Sequence, residues 1–261
     1  MSDSEALVDV DGAVAILTFN RPQARNALTW AMYDALVAAC NRVDNDPAIR
    51  VFIIRAAGDA FAAGTDISQF TGFKTGDDGL EYEHRLDAVI DRLERVRVPT
   101  IAQVHGVAAG GGCAIALACD LRVCTPTARF GVPIARTLGN CLSAANYARI
   151  VDLIGPARTK DLLFTGRFVD VAEATALGLV TATAEPDRIG EAVRALANRI
   201  AAHAPMTLRA TKETIRRIAE SRRRAVDGIA DDLVAACYAS ADFHEGIDAF
   251  LAKRQPKFSG Q

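Results

Sequence analysis

No stretch of this 261-residue chain is apolar over the roughly 18–20 residues that a helical membrane span requires, so the sequence carries no such span. An excess of one charge is also missing. The 30 Lys and Arg against 32 Asp and Glu leave −2, which speaks against a general binder of nucleic acid or of membrane surfaces. The six cysteines include no CxxC pair and the four histidines no HExxH, so no metal site is expected. Cys113, Cys119 and Cys124 stand among apolar residues, as the reduced, buried thiols of a cytoplasmic protein do. Residues 1–5 are polar and acidic, unlike a secretory signal or a transit peptide. There is no repeat of fixed period and no low-complexity tract. What remains is an ordinary globular composition, 50% hydrophobic and 24% charged. A chain of this length buries about 70–75% of its unfolded surface and needs no disulfide or metal staple.

Residues 6–19 alternate apolar and polar around Asp11-Gly12, which predicts a hairpin with positive φ at both turn positions. Thr29 is placed to cap a helix in which Met32, Ala35, Leu36, Ala39 and Val43 recur at helical spacing. Residues 51–55, 101–104 and 121–124 read as short buried strands. A turn-rich stretch, 58–79, precedes a second amphipathic helix marked by Leu86, Val89, Ile90, Leu93 and Val96. Gly110, Gly111 and Gly112 open an alanine-rich helix that runs to about Ala118. Strands and helices in alternation predict an α/β layer fold. Beyond Glu185 the pattern is nearly all helical, with breaks expected at Pro205 and Gly246. This shift divides the chain into 1–185 and 186–261.

Two segments can carry chemistry. In AFAAGTDI (60–67), small residues and a glycine follow a strand, and an aspartate follows them. Alone, this is a tight turn with Asp66 capping the next segment. In HGVAAGGGCAIALACDLRV (105–123), a strand runs into three glycines and a helix. The N–H groups of a helix's first turn lack internal partners, and glycine lets another group approach them. Such a start can hold a developing anion, or the glycines can serve helix–strand packing.

Together the two segments resemble the crotonase (enoyl-CoA hydratase/isomerase) superfamily, and the resemblance covers nearly the whole chain. FNRPQARNAL (19–28) is similar to its first CoA-contacting loop, AFAAGTDI to its second, and HGVAAGGGC (105–113) to its glycine-rich oxyanion segment. ARFGVPI (128–134), FTGRFVDVAEATALGLV (164–180) and EGIDAFLAKRQPKF (245–258) follow in the family's order. The resemblance implies a spiral of repeated ββα units over 1–185, carrying the acyl-CoA site. It also implies a helical oligomerisation region over 186–261 that builds a homotrimer or a dimer of trimers. It implies an oxyanion hole made by the backbone N–H groups of Thr65 and Gly111, for which the Thr65 side chain is not critical. Arg25, Ala63, Asp66, Ile67 and Lys253, with Lys257, are the implied contacts to CoA. The partner is an acyl-CoA or enoyl-CoA substrate, with no cofactor beyond its CoA and no nucleic acid or membrane.

The sequence departs from the family where its hydratases carry two glutamates twenty positions apart. Those positions are Ala114 and Ile134, and neither side chain can move a proton. The following segment, RTLGNCLSAANY (136–147), is also changed. Ser143 stands where some relatives carry an aspartate, and it is the implied catalytic substitute. Its alternative role is to cap the helix that runs to about Val151, a role open to Asn140 as well. Cys141 has no evident His partner and reads as an inert thiol. Asp77, Asp78, Glu81, Glu83 and His84 offer a base from the opposite wall, or a solvated acidic helix start. His105 reads as a hydrogen-bonded core histidine and Asp120 as the holder of a turn. Arg216, Arg217, Arg222, Arg223 and Arg224 read as a solvated helix face. Two functions follow: an enzyme forming a thioester enolate without the hydratase glutamates, or a non-catalytic acyl-CoA-binding or scaffold protein of the same fold.

Overall fold

Strand β1 (Ala6–Asp11) folds back antiparallel onto β2 (Val14–Phe19). The structure, a computed structural model, describes residues 4–261; residues 1–3 of the acidic start lie outside it. The hairpin turn sits one residue later than expected. Asp11 pairs with Val14, so Gly12 and Ala13 make the turn, and only Gly12 has positive φ. One glycine supplies the unusual conformation that the strand twist needs.

Helix α1 (Trp30–Asn45) starts at Thr29, whose side chain accepts the Met32 N–H. Strand β3 (Val51–Ala56) leads through the loop 57–75 to α2 (Gly76–Glu94). This helix starts ten residues before its apolar stripe, because Thr75 and Asp78 form a capping box that supports a polar first turn. Then follow β4 (Thr100–Val104), β5 (Val107–Ala109), α3 (Gly111–Ala118), β6 (Leu121–Cys124) and β7 (Arg129–Gly131). Next come the single turn α4 (Ile134–Thr137) and α5 (Ala144–Thr165), which runs past Val151 and bends at Gly155 before Pro156. Strand β8 (Phe168–Asp170), α6 (Val171–Ala176) and β9 (Ala182–Thr183) close the first part. The rest is helical: α7 (Ile189–Ala201), α8 (Pro205–Arg223), α9 (Asp231–Ala239) and α10 (Ala241–Leu251).

The strands form two sheets. The large one has the order β1-β2-β3-β4-β6-β9, parallel from β2 onward; the small one has β5-β7-β8. Each unit sends one strand to the large sheet, the next extended segment to the small one, and then a helix. The series is β3, Ala62 (bridged to Ala108) and α2; then β4, β5 and α3; then β6, β7 and α4. This is the spiral of ββα units that the resemblance implied.

Period-two alternation decides what covers each face of the large sheet. Leu17, Phe52, Ile54, Ala102 and Val104 face the main core with α1, α2 and α3. Val14, Ile16, Val51, Ile53, Ile101 and Val123 face α7 through Ile189, Val193, Ala197 and Ile200. Pro205 begins α8 as expected, but Gly246 lies inside α10 instead of breaking it. A Cβ there would come within 2.3 Å of the Leu138 carbonyl oxygen, so the glycine serves close packing against the 138–143 segment. The C-terminal helices also enter the main core through Val234, Tyr238, Phe243 and Ile247.

Candidate active site

The first side of the site is main chain. Asn26 is fully buried; its side chain accepts the Arg21 N–H and donates to the Ala57 and Ala60 carbonyls, which shapes the first loop. That loop is hydrogen-bonded to the second. Ala63 N–H donates to Arg25 C=O (3.0 Å), Leu28 N–H to Gly64 C=O (2.7 Å), and Asp66 N–H to Leu28 C=O (2.9 Å). Leu28 bonds to the residues on either side of Thr65, so the Thr65 N–H points away from Leu28. Asp66 stands behind this edge. Its carboxylate accepts from the Ser68 N–H and hydroxyl and from the Arg21 guanidinium. Burial raises its pKa, but these hydrogen bonds outweigh that and hold the carboxyl below its usual range.

Gly111 is the first residue of α3, where N–H groups have no helical acceptor. A Cβ at Gly111 would stand 2.2 Å from the Tyr33 hydroxyl and 3.2 Å from Thr65 Oγ1. Glycine at 111 leaves room for the Tyr33 hydroxyl, and Gly112, where a Cβ would stand 2.5 Å from the Ala62 carbonyl oxygen, lets the helix start come this close to the second loop. Thr65 and Gly111 line the same cavity of about 740 Å³, within the usual range for small-ligand sites. Arg25, Ala63 and Ile67 line it too. Lys253 does not; it is exposed just beyond α10, with positive φ.

Ala114 and Ile134 both line the cavity and present only apolar groups to it. A buried carboxyl group lies on another wall. Glu83, on α2, is buried and lines the cavity with Phe70, Leu86 and Leu142. Its Oε1 accepts the Tyr238 hydroxyl (2.7 Å) and its Oε2 accepts the Ser143 N–H (2.9 Å). Burial lifts its pKa to about 7, against the lowering effect of both hydrogen bonds; the neighbouring Asp87 adds to the rise. Tyr238 also accepts a hydrogen bond from Asn140 Nδ2 (3.0 Å). The approach of α9 to α2 that brings Tyr238 here depends on Gly79, where a Cβ would meet the Tyr238 side chain at 2.1 Å.

The next turns of the same face carry Asp87, Asp91 and Glu94, all paired with the buried Arg149. That guanidinium is thereby occupied. Ser143 caps α5, its hydroxyl accepting the Asn146 N–H (3.1 Å), and it meets Glu83 through its backbone. Of the acidic segment, Asp78 caps α2 and Asp77, Glu81 and His84 stay at least partly solvated, while Glu83 turns inward. Glu83, Leu86, Ile90 and Leu93 share one helical face, a spacing already present in the sequence. The hydroxyls of Tyr33, Tyr82 and Tyr238 had no local signal.

The remaining candidates have structural roles. His105 Nε2 meets the Gly58 carbonyl oxygen at 3.0 Å, and burial lowers its pKa. Asp120 accepts from the Thr100 N–H and from Lys212. Cys141 touches the Leu233 carbonyl, and the Cys237 thiol together with burial pushes its ionisation well up. Arg216, Arg217 and Arg224 pair with Glu213 or Glu220 on their own helix or its extension, Arg223 with Glu94, and Arg222 with Asp152. Among the described residues, no group of three His, Cys, Asp or Glu is placed to hold a metal ion.

The sequence profile of the enoyl-CoA hydratase/isomerase family matches residues 9–261. The probable enoyl-CoA hydratase EchA8 of Mycobacterium bovis is 36% identical, with 99% of each chain covered. The crystal structure of an enoyl-CoA hydratase/carnithine racemase from Magnetospirillum magneticum is 33% identical, with a TM-score of 0.80 over 100% of this chain and 97% of that one. A methylmalonyl-CoA decarboxylase complexed with 2S-carboxypropyl-CoA is 27% identical, with a TM-score of 0.87 over the whole of both chains. In sequence, topology and the meeting of its two loops with the start of α3, this chain belongs to the enoyl-CoA hydratase/isomerase family, the crotonase superfamily.

Proposed function

We propose that this protein is an acyl-CoA enzyme that forms a thioester enolate, with Glu83 moving the proton. The observation that carries this reading is a buried carboxylate with no cationic partner among the described residues, lining the same cavity as Thr65 and Gly111. Removing a proton from the α- or γ-carbon of an acyl thioester sends an electron pair to the carbonyl oxygen. The N–H groups of Thr65 and Gly111 stabilise that oxyanion, and one such donor contributes about 3–4 kcal/mol. A carboxyl group with pKa about 7 can take a proton and return it at neutral pH.

Ala114 and Ile134 leave no second acid–base pair on their wall, so hydration by the family's two-glutamate route is disfavoured. One carboxylate suits return of the same proton to another carbon, a double-bond shift or an exchange. Proton and electron pair stay within the substrate, so no cofactor is needed beyond its CoA. Arg25, which lines the cavity, is the proposed contact to the CoA phosphates; Lys253 lies outside the cavity. Exposed Ile215, Ile218, Ile229, Leu233 and Phe250 on the C-terminal part support association of copies, in keeping with a trimer or a pair of trimers. A cytoplasmic location is supported by six unpaired cysteines, four of them buried.

The test is deuterium uptake from heavy water at the α-carbon of acetyl-CoA and of a panel of enoyl-CoAs. The expected result is uptake or double-bond migration without net hydration, lowered about 10²–10⁴-fold in Glu83→Gln. Saturable CoA-thioester binding with no exchange on any substrate would favour the non-catalytic binder. Exchange that survives Glu83→Gln would remove Glu83 from the reading.

A further inference from the structure

Thr65 carries more than a backbone N–H into the site. Its Oγ1 lies 2.8 Å from the Tyr33 hydroxyl and 2.7 Å from the Tyr82 hydroxyl. Three hydroxyl groups hold three protons, and two contacts use two of them. One proton is left over. A phenol is a much stronger donor than an aliphatic alcohol, and an alcohol oxygen has two lone pairs to offer. Either atom can donate in each contact; the arrangement that donor strength favours has both phenols donating to Thr65, which leaves the unshared proton on Thr65 itself. Burial keeps both phenols protonated, since it raises the ionisation of each.

The location matches this assignment. Thr65 lines the cavity, and its Oγ1 stands 3.2 Å from where a Gly111 Cβ would be, beside both expected oxyanion donors. Among the described residues the hydroxyl has no partner other than the two phenols. Trp30 packs against both tyrosines, at ring distances of 5.5 and 5.7 Å, and Phe70 packs against Tyr82 at 4.9 Å, so neither phenol is free to swing away.

We infer that the Thr65 hydroxyl is a third donor to the thioester oxygen, with Tyr33 and Tyr82 as its positioning residues. The inference rests on the reading of this cavity as an acyl-CoA site with a hole at Thr65 and Gly111. A hydroxyl that accepts two hydrogen bonds donates more strongly, and its effect grows as charge builds on the oxygen.

The test uses acetyl-CoA labelled with a heavy isotope at its carbonyl. Infrared difference spectra report the carbonyl stretch of the bound thioester, and heavy water reports exchange of its methyl protons. Thr65→Val keeps the N–H and the shape but loses the hydroxyl. The expected result is unchanged affinity, a bound carbonyl frequency moved back toward the free value, and exchange slower by about 10²-fold. Thr65→Ser should restore both. Tyr33→Phe and Tyr82→Phe should each give part of the loss with no change in affinity, and they carry the test if Thr65→Val does not fold. A frequency and an exchange rate in Thr65→Val equal to those of the native protein would overturn the inference while leaving the enolate reading intact. A native protein that binds acetyl-CoA without any carbonyl shift would overturn the reading and the inference together.

Discussion

The two sides of the cavity are built differently. The side that holds Thr65 and Gly111 is mostly main chain, drawn from two loops and one helix start, and these two residues lie in short contiguous motifs. The carboxylate side is built of side chains from α2, the 138–143 segment and α9. Glu83 and Tyr238 are 155 positions apart in the chain. The first side depends on local backbone geometry, and the second exists only when distant elements dock correctly. A family motif can therefore describe the main chain of one half of a site and be silent on the side chains that distant elements bring to it.

The largest expected effect separates the halves. Glu83→Gln should lose most proton exchange yet keep the bound carbonyl polarised, because the donors lie on the other side. The same variant has a stability signature. The folded pKa of Glu83 is raised, so its contribution to stability is full below the ordinary glutamate range and is lost as pH rises through about 7. Melting curves between pH 5 and pH 8 should show the native protein losing stability relative to Glu83→Gln, by on the order of 3 kcal/mol at most. Native exchange should itself rise with pH up to about 7 and then level off, as the base form fills.

Gly79→Ala tests the docking of α9 on α2. Its new methyl group meets the Tyr238 ring, so a loss of about 1–3 kcal/mol is expected, seen as a lower melting temperature. Exchange should fall with it, since Tyr238 must shift. The same mutation would spare activity if the carboxylate side did not depend on long-range packing.

Tyr238→Phe has the smallest expected effect. It removes the hydrogen bond that favours ionised Glu83, so the pH midpoint of exchange should move upward. At pH 7 the rate should fall by up to about tenfold, the equivalent of one pKa unit. A midpoint that stays in place would show that Tyr238 only packs.

Local features of this chain were legible in the sequence. The Thr29 cap, the hairpin and the glycine-opened helix each depend on neighbours a few residues away. The hairpin turn still shifted by one residue, because Gly12 alone suffices for its backbone. Gly246 reads as a break in the sequence, but it serves contact with Leu138, more than a hundred residues earlier. Glu83 was visible as one of five polar groups, but capping by Thr75 starts the helix early and turns that one residue inward. Ser143 could be read correctly as a cap, yet nothing nearby showed its N–H meeting a carboxylate. The Tyr33–Thr65–Tyr82 cluster was hidden for the same reason.

The distance between Glu83 and Tyr238 also sets an order of events during synthesis. At about 5–20 residues per second, roughly 8–30 seconds separate their emergence. Thr65 and Gly111 both precede Ser143, and Ser143 precedes Tyr238. A nascent chain can assemble the half that holds Thr65 and Gly111 while Glu83 still lacks its phenol partner. Until α9 is made, the carboxyl group's burial is uncompensated on one side, so the proton-moving role proposed for it would mature last.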